Sequence, residues 1–228
     1  MASPVSANSH PRKGLALLAV CAILTALACQ KAFPSGAFQV FSNAPRAALE
    51  KNALNLARMS LKACLEKRPS PEVPRGLPLF FQKPSGAFVT ITCHGRPRGC
   101  MGTLTPTTGS LAQEILKATV MAARLDRRVA PLLPSEWEAL DVCVSIPGPL
   151  KRVHSIAGLS PGRLGLFVRC GSRSALLLPG EALSSRWQVD ECFRKAGIKK
   201  GSRVEMFVFP AVTLGKSPEK REETVDEK

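Results

Sequence analysis

The stretch "GAFVTITCHGRPRGCMGTL", Gly86 to Leu104, constrains the fold more than any other part of the chain. Apolar and polar side chains alternate along it, and a turn signal at Gly95-Arg96 folds it into a β-hairpin. With the turn centred there, His94 pairs with Pro97, Cys93 with Arg98 and Ile91 with Cys100. Cys100 then shares the apolar face of Val89, Ile91 and Cys93, while Phe88, Thr90, Thr92 and His94 take the other. This register keeps Cys100 away from His94, and one bulge would reverse the assignment. It also sets Cys93 and Cys100 diagonally, about 7 to 8 Å apart at Cα, which is long for a disulfide.

Around the hairpin the chain alternates between helical and extended patterns. From Arg46, the residues Ala47, Leu49, Ala53, Leu54, Leu56, Ala57, Ser60, Leu61, Cys64 and Leu65 fall mostly on one broad helical face, and Pro69, Pro71 and Pro74 stop it. "SLAQEILKATVMAARLD" opens with a capping box, Ser110 and Gln113, and "SEWEAL" repeats the device with Ser135 and Glu138. "DVCVSI" is a strand, "LGLFVRCGSRSALLLP" gives two more, "WQVDECFRKAGI" is a helix that Gly197 ends, and "RVEMFVFPAVTL" is a closing strand. Strands and helices without regular βαβ alternation predict an α+β fold with a mixed, largely antiparallel sheet and flanking helices.

Both ends of the 228 residues differ from this middle. Residues 14–28, "GLALLAVCAILTALA", follow Arg12-Lys13 and carry no charge, a length suited to a signal-peptide core and short for a membrane span. The exit "LTALAC" resembles the lipobox of bacterial lipoproteins, which implies cleavage before Cys29 and lipid attachment to its thiol. Ala26 stands where that motif usually has Leu. The expected division is therefore a lipoprotein-like signal over 1–28, a linker over 29–45, a domain over 46–215 and a disordered charged tail over 216–228. The protein is expected to be membrane-anchored on the periplasmic or extracytoplasmic side, with a cytoplasmic location as the alternative.

The formal net charge is +15. Removing residues 1–28 and 216–228 leaves +14, so the basicity belongs to the domain and favours an anionic ligand or membrane surface. The cations come in short scattered groups, such as Arg127-Arg128 and Lys199-Lys200, with little aromatic interleaving, which argues against nucleic acid as the partner. No nucleotide-binding glycine loop or hydrolase motif is present, and the histidines His10, His94 and His154 are isolated. Neither a metal site nor a cofactor is expected.

The blocks "LARMSLKACLEKR", "GAFVTITCHGRPRGCMGTL", "ALDVCVSI", "PGRLGLFVRCGSRSALLLP" and "CFRKAGI", in this order, resemble the AMMECR domain family over about Arg46 to Val212. The family takes its name from an Alport-syndrome and elliptocytosis chromosomal-region gene product. The segment Arg98-Gly99-Cys100-Met101-Gly102 resembles its R-G-C-I-G core. The resemblance implies a two-lobed α+β domain whose core segment lines a groove between lobes. It also implies a Memo-like protein or a radical-SAM protein as partners, an association suited to the cytoplasm. Two departures stand out: Asp126-Arg127-Arg128-Val129 replaces the family's D-P-R-F, and Pro97 and Met101 replace aliphatic neighbours of the core.

Three roles remain open for Cys100: packing, contact with a ligand, and covalent catalysis. Arg96 and Arg98 could lower its pKa, and His94 is the nearest base in sequence. Gly99 and Gly102 are expected where backbones approach closely or φ is positive. Glu114, Asp126 and Asp141 are the acids near the groove elements, and surface or capping roles suit them best. The function expected is binding of a small anionic ligand or protein partner in the groove at Arg98, Gly99, Cys100, Met101 and Gly102. An enzyme using Cys100 and a basic nucleic-acid module are the rivals.

Overall fold

The computed structural model describes residues 35–217. The first helix, α1 (Ser35–Ser42), lies inside the stretch expected to be a linker. Its Phe41 is buried in the first core, and the Phe38 ring lies over Gly148 and beside Pro210. After Pro45, α2 (Arg46–Leu65) buries Leu49, Ala53, Leu56, Ala57, Leu61 and Leu65, the face its periodicity predicts. Lys67, with φ of 55°, turns the chain away before the prolines.

The hairpin forms from β1 (Phe88–Cys93) and β2 (Arg96–Gly102), but its register differs from the expected one. His94 and Gly95 have φ of 49° and 78°, so the turn is a two-residue type I′ turn one position earlier, and Cys93 pairs with Arg96. Between Ile91 and Thr92 the ladder is irregular: Thr92 faces Pro97 and Ile91 faces Gly99, leaving Arg98 as an extra residue. Cys100 therefore stands opposite Thr90, not Ile91.

Next, α3 (Leu111–Arg124) starts at Ser110, whose hydroxyl accepts from the Gln113 N–H at 3.2 Å. The return half of the box goes elsewhere, because Gln113 Oε1 accepts from Gly109. "SEWEAL" forms only a 3-10 turn over Pro134–Ala139, and the reach-back there comes from Glu136, which accepts from Leu133 N–H. Pro134 at the start of the turn moves the register away from Ser135 and Glu138.

Two antiparallel sheets follow from β3 (Leu140–Pro147), β4 (Lys151–Val153), β5 (Gly165–Cys170), β6 (Arg173–Leu177), β7 (Glu205–Phe209) and β8 (Ala211–Leu214). The first has the order β2-β1-β3-β8, and its Val89, Ile91, Val142, Val144 and Ile146 face α2 and α3. The second has the order β4-β7-β5-β6 and is backed by α4 (Ser185–Ala196), with Leu166, Val168, Val208 and Cys192 between them. Gly197, at φ of 62°, caps α4.

The closing run expected as one strand is divided at Pro210, so that β7 belongs to the second sheet and β8 to the first. The proline has no N–H for a ladder, and its carbonyl accepts from Gly148 N–H at 2.7 Å, where the chain first crosses between lobes. A third apolar cluster, Phe88, Phe167, Leu178 and Phe209, joins the two lobes.

Gly99 and Gly102 do not have positive φ; their role is close approach. A Cβ on Gly102 would lie 2.1 Å from the Ala87 carbonyl oxygen, and one on Gly99 would lie 2.3 Å from that of Ala122. Backbone cannot yield as a side-chain end can. Gly102→Ala is expected to cost about 3 kcal/mol in urea unfolding. Loss of under about 0.5 kcal/mol would show that the strands part without strain.

Candidate functional site

The Arg98–Gly102 segment runs along an edge strand, and its side chains separate by alternation. Met101 points into the first core, as Cys93 does. Cys100 points the other way and packs on the interlobe cluster, as Leu104, Leu150, Leu176 and Phe207 also do. Cys93 and Cys100 thus lie on opposite faces, contrary to the expected register. All six cysteines among the described residues are free.

Cys100, Thr90 and Cys143 form one row across β2, β1 and β3. The Thr90 hydroxyl donates to Cys100 Sγ at 3.1 Å. Burial pushes the Cys100 thiol up to about 12, and the Glu181 carboxylate acts in the same sense. The Thr90 hydroxyl, Arg128 and Lys195 oppose that shift without reversing it. The thiol is therefore protonated near neutral pH. His94 sits in the turn four residues beyond Thr90, roughly 13 Å along the strand, so the two do not form a dyad.

The outward backbone groups of Cys100 have side-chain partners in place of a neighbouring strand. Its N–H donates to Asp126 Oδ2 at 2.9 Å, and its carbonyl accepts from Arg128 Nη2 at 2.8 Å. Arg128 also holds Asp126 through Nε and Nη2 at 2.8 and 2.7 Å. The Asp126 side chain is 3% exposed. Burial pushes its carboxyl up, but Arg128 and the Cys100 N–H outweigh that and hold it below the usual range. Asp126 and Arg128 complete the strand edge at the residue that packs on the interlobe cluster.

Arg98 is turned outward at the bulge and grips the next loop. Its Nε and Nη2 each donate to Glu136 at 2.9 Å, and its Nη1 donates to the Ala130 carbonyl at 3.1 Å. The guanidinium, and then the Leu133 N–H, hold the Glu136 carboxyl below its ordinary range. Glu114 is buried in a ring of hydroxyls and amides: Thr103 donates at 2.6 Å, and the Thr107 and Thr108 N–H groups at 3.0 Å each. Burial raises its carboxyl, and these donors together bring it below the ordinary value. It fixes the loop between β2 and α3, which is neither the surface position nor the helix cap expected of it. Asp141 stays exposed, 3.9 Å from Arg58.

Of the five expected groove residues, Cys100 alone turns its side chain to the interlobe face; Arg98 and Met101 face other neighbours, and the glycines form strand backbone. Sequence reasoning missed Thr90, Glu181 and the part played by Asp126 and Arg128. The retained acid and arginine of the altered D-P-R-F segment were the available signal. Among the described residues no three potential metal ligands cluster, and no helix is long and apolar enough to cross a membrane. The apolar run 14–28, Cys29 and the tail beyond 217 lie outside the described residues.

Comparison with known proteins bears on the family and the fold. The family model described as AMMECR1 matches residues 54–214. A protein of Thermotoga maritima is 38% identical over 135 residues, covering 58% of this chain and 74% of the relative. One of Methanothermobacter thermautotrophicus is 32% identical over 167 residues, covering 70% and 86%. The crystal structure of an uncharacterised protein from Pyrococcus horikoshii is similar with a TM-score of 0.66 at 26% identity, covering 72% of this chain and 89% of the other.

Two measurements check the site. At pH 8 a thiol near pKa 12 has about a thousandfold less thiolate than one at the ordinary 9.0. Iodoacetamide should therefore label Cys100 far more slowly in folded than in urea-unfolded protein, by peptide mass spectrometry. Equal rates would contradict the buried, protonated thiol. Asp126 has a depressed pKa, so its stabilisation is present above the unfolded carboxyl value of about 4 and lost as pH falls below it. Asp126→Asn should cost about 2 kcal/mol at pH 7 and flatten the stability profile below about pH 4. An unchanged acid limb would remove Asp126 from the account.

Proposed function

Because this chain belongs to the AMMECR1 family, a family of uncharacterised function, its role rests on its own geometry, and we propose that it is a binding module. The interlobe groove beside Cys100 takes a small anionic molecule or a protein partner and performs no thiol chemistry. The observation that carries this reading is the thiol itself: it turns to the interlobe face, accepts from Thr90, and is held protonated by burial and by the Glu181 carboxylate. A nucleophile needs the reverse arrangement. The bonds from Asp126 and Arg128 supply what a binding surface needs, a backbone fixed before the ligand arrives.

The same proposal takes residues 1–28 as an export signal and Cys29 as the point of lipid attachment. Helix α1 starts six residues later, so the tether would hold the domain within about 20 Å of a membrane. A Memo-like or radical-SAM partner belongs to the alternative, in which the chain stays in the cytoplasm. Mass spectrometry of the mature N-terminus separates the two: a diacylated Cys29 supports the tether, and an intact Met1 in a soluble fraction overturns it.

The groove is tested by thermal-shift screening of anionic metabolites against the wild-type domain, Cys100→Ser and Cys100→Trp. A groove ligand at a hundredfold excess over Kd should raise Tm by about 5–10 °C in the first two proteins and leave Cys100→Trp unshifted. A ligand that stabilises Cys100→Trp equally binds elsewhere. A turnover present in the wild type and absent in Cys100→Ser would favour the enzyme.

A further inference from the structure

Arg98 is bonded to Glu136 and the neighbouring carbonyls, so the positive charge of an anion site must come from another part of the cleft. The second sheet supplies it. One of its faces is covered by α4, and alternation turns Arg152, Phe167, Arg169, Glu205 and Phe207 to the other. The register sets Arg152, Phe207, Phe167 and Leu176 in one row across all four strands. Glu205 and Arg169 pair in the next row.

This face and the Cys100 strand meet at one place. Cys100 and Leu104 from the first lobe, and Phe207 and Leu176 from the second, pack on the same buried cluster. Phe167 is buried within it, whereas Phe207 keeps part of its ring exposed. The Phe207 and Phe167 ring centroids are 6.0 Å apart, and the Arg169 guanidinium carbon lies 5.9 Å from the Phe207 centroid. Glu205 accepts from Arg169 Nε at 2.8 Å and lies 3.6 Å from Arg152, so one carboxylate stands between two guanidiniums. The Arg152 side chain is 54% exposed and its contact with Glu205 is long. An incoming anion meets a cation held in place only weakly.

We propose that this corner between the lobes binds a nucleoside phosphate, with its planar base on the exposed part of Phe207 and its phosphate on Arg152. The inference rests on the groove reading above and names its ligand class. The partly exposed Phe207 and the loosely held guanidinium of Arg152 match one base and one phosphate group. Aromatic contact favours the flat ring, the adjacent cation strengthens that contact, and a guanidinium donates two parallel bonds to phosphate oxygens. Sequence could not show this. Arg152, Arg169 and Phe207 lie on three strands far apart in the chain, and sheet pairing alone makes them neighbours.

The test is isothermal titration of the full domain with AMP, adenosine and inorganic phosphate. AMP should bind saturably, with adenosine and phosphate each about tenfold weaker or more. Arg152→Gln, at an exposed position, should weaken AMP about tenfold and leave adenosine unchanged. Phe207→Leu, which keeps apolar volume in the cluster, should weaken AMP and adenosine about tenfold and leave phosphate unchanged. AMP binding at wild-type strength in both variants overturns the site, as does no AMP binding at millimolar concentration. An oligonucleotide that binds more than about a hundredfold tighter than AMP, with steep salt dependence, also overturns it by making the ligand a polymer. Cys100→Trp separates this inference from the groove reading. AMP binding that Arg152→Gln and Phe207→Leu weaken but Cys100→Trp does not upholds the nucleotide site and moves it out of the Cys100 groove. Another anion blocked by Cys100→Trp, with AMP inert, overturns the nucleotide inference alone.

Discussion

At residues 99 and 102 there is no room for a β-carbon, and much of the first lobe is arranged around that exclusion. Gly99 lies against the backbone of α3 at Ala122, and Gly102 against Ala87 and Phe88, where β1 begins. Where two backbones touch, no side chain mediates and no rotamer can adjust, so the positions of strand and helix are fixed together. The bulge at Arg98 is the local consequence. The register that brings residue 99 onto the helix places it opposite Ile91, and one residue has to be left out of the ladder. From that follow the turning of Cys100 to the cleft face and the release of Arg98 toward Glu136.

The polar groups near the cleft serve this same fixing. Asp126, Arg128, Glu136 and Glu114 each satisfy backbone or hydroxyl groups of loops that a sheet edge or helix end leaves unpaired. Their charges are matched where they sit, which lowers the cost of burying them. The result is a strand edge held in one conformation on a domain of strongly positive charge.

Much of the element plan was legible in the sequence, since it depends on periodicity and on breakers. The inner face of α2, the strand at Val142, Val144 and Ile146 and the glycine cap at Gly197 are all local signals. What sequence could not supply were features set by distant contacts. The one-residue shift of the turn to His94-Gly95, the bulge at Arg98 and the division at Pro210 answer to α3 and to the second sheet, not to their own neighbours. Helix α1 was missed because Pro34, Ser35 and Gly36 suggest a linker, while Phe41 finds its core only in the folded molecule. Of the site, the strand and its glycines were readable; the facing direction of Cys100 was inverted, because a single extra residue reverses every side chain beyond it.

The division at Pro210 has a topological consequence. Pro147 and Ala211 are cross-strand partners at the end of the β3-β8 ladder. The chain leaves the first sheet at one and returns at the other, and residues 148–210 build the second lobe between them. In connectivity, the second lobe is an insertion at the tip of a β-hairpin. The first lobe keeps its own sheet, its own two long helices and its own core without it, and the two crossings lie side by side at Gly148 and Pro210. A unit attached in this way can be lengthened, shortened or exchanged while the ladder that carries it stays paired. The face of the second sheet can then diverge while the strand that bears Cys100 remains as it is.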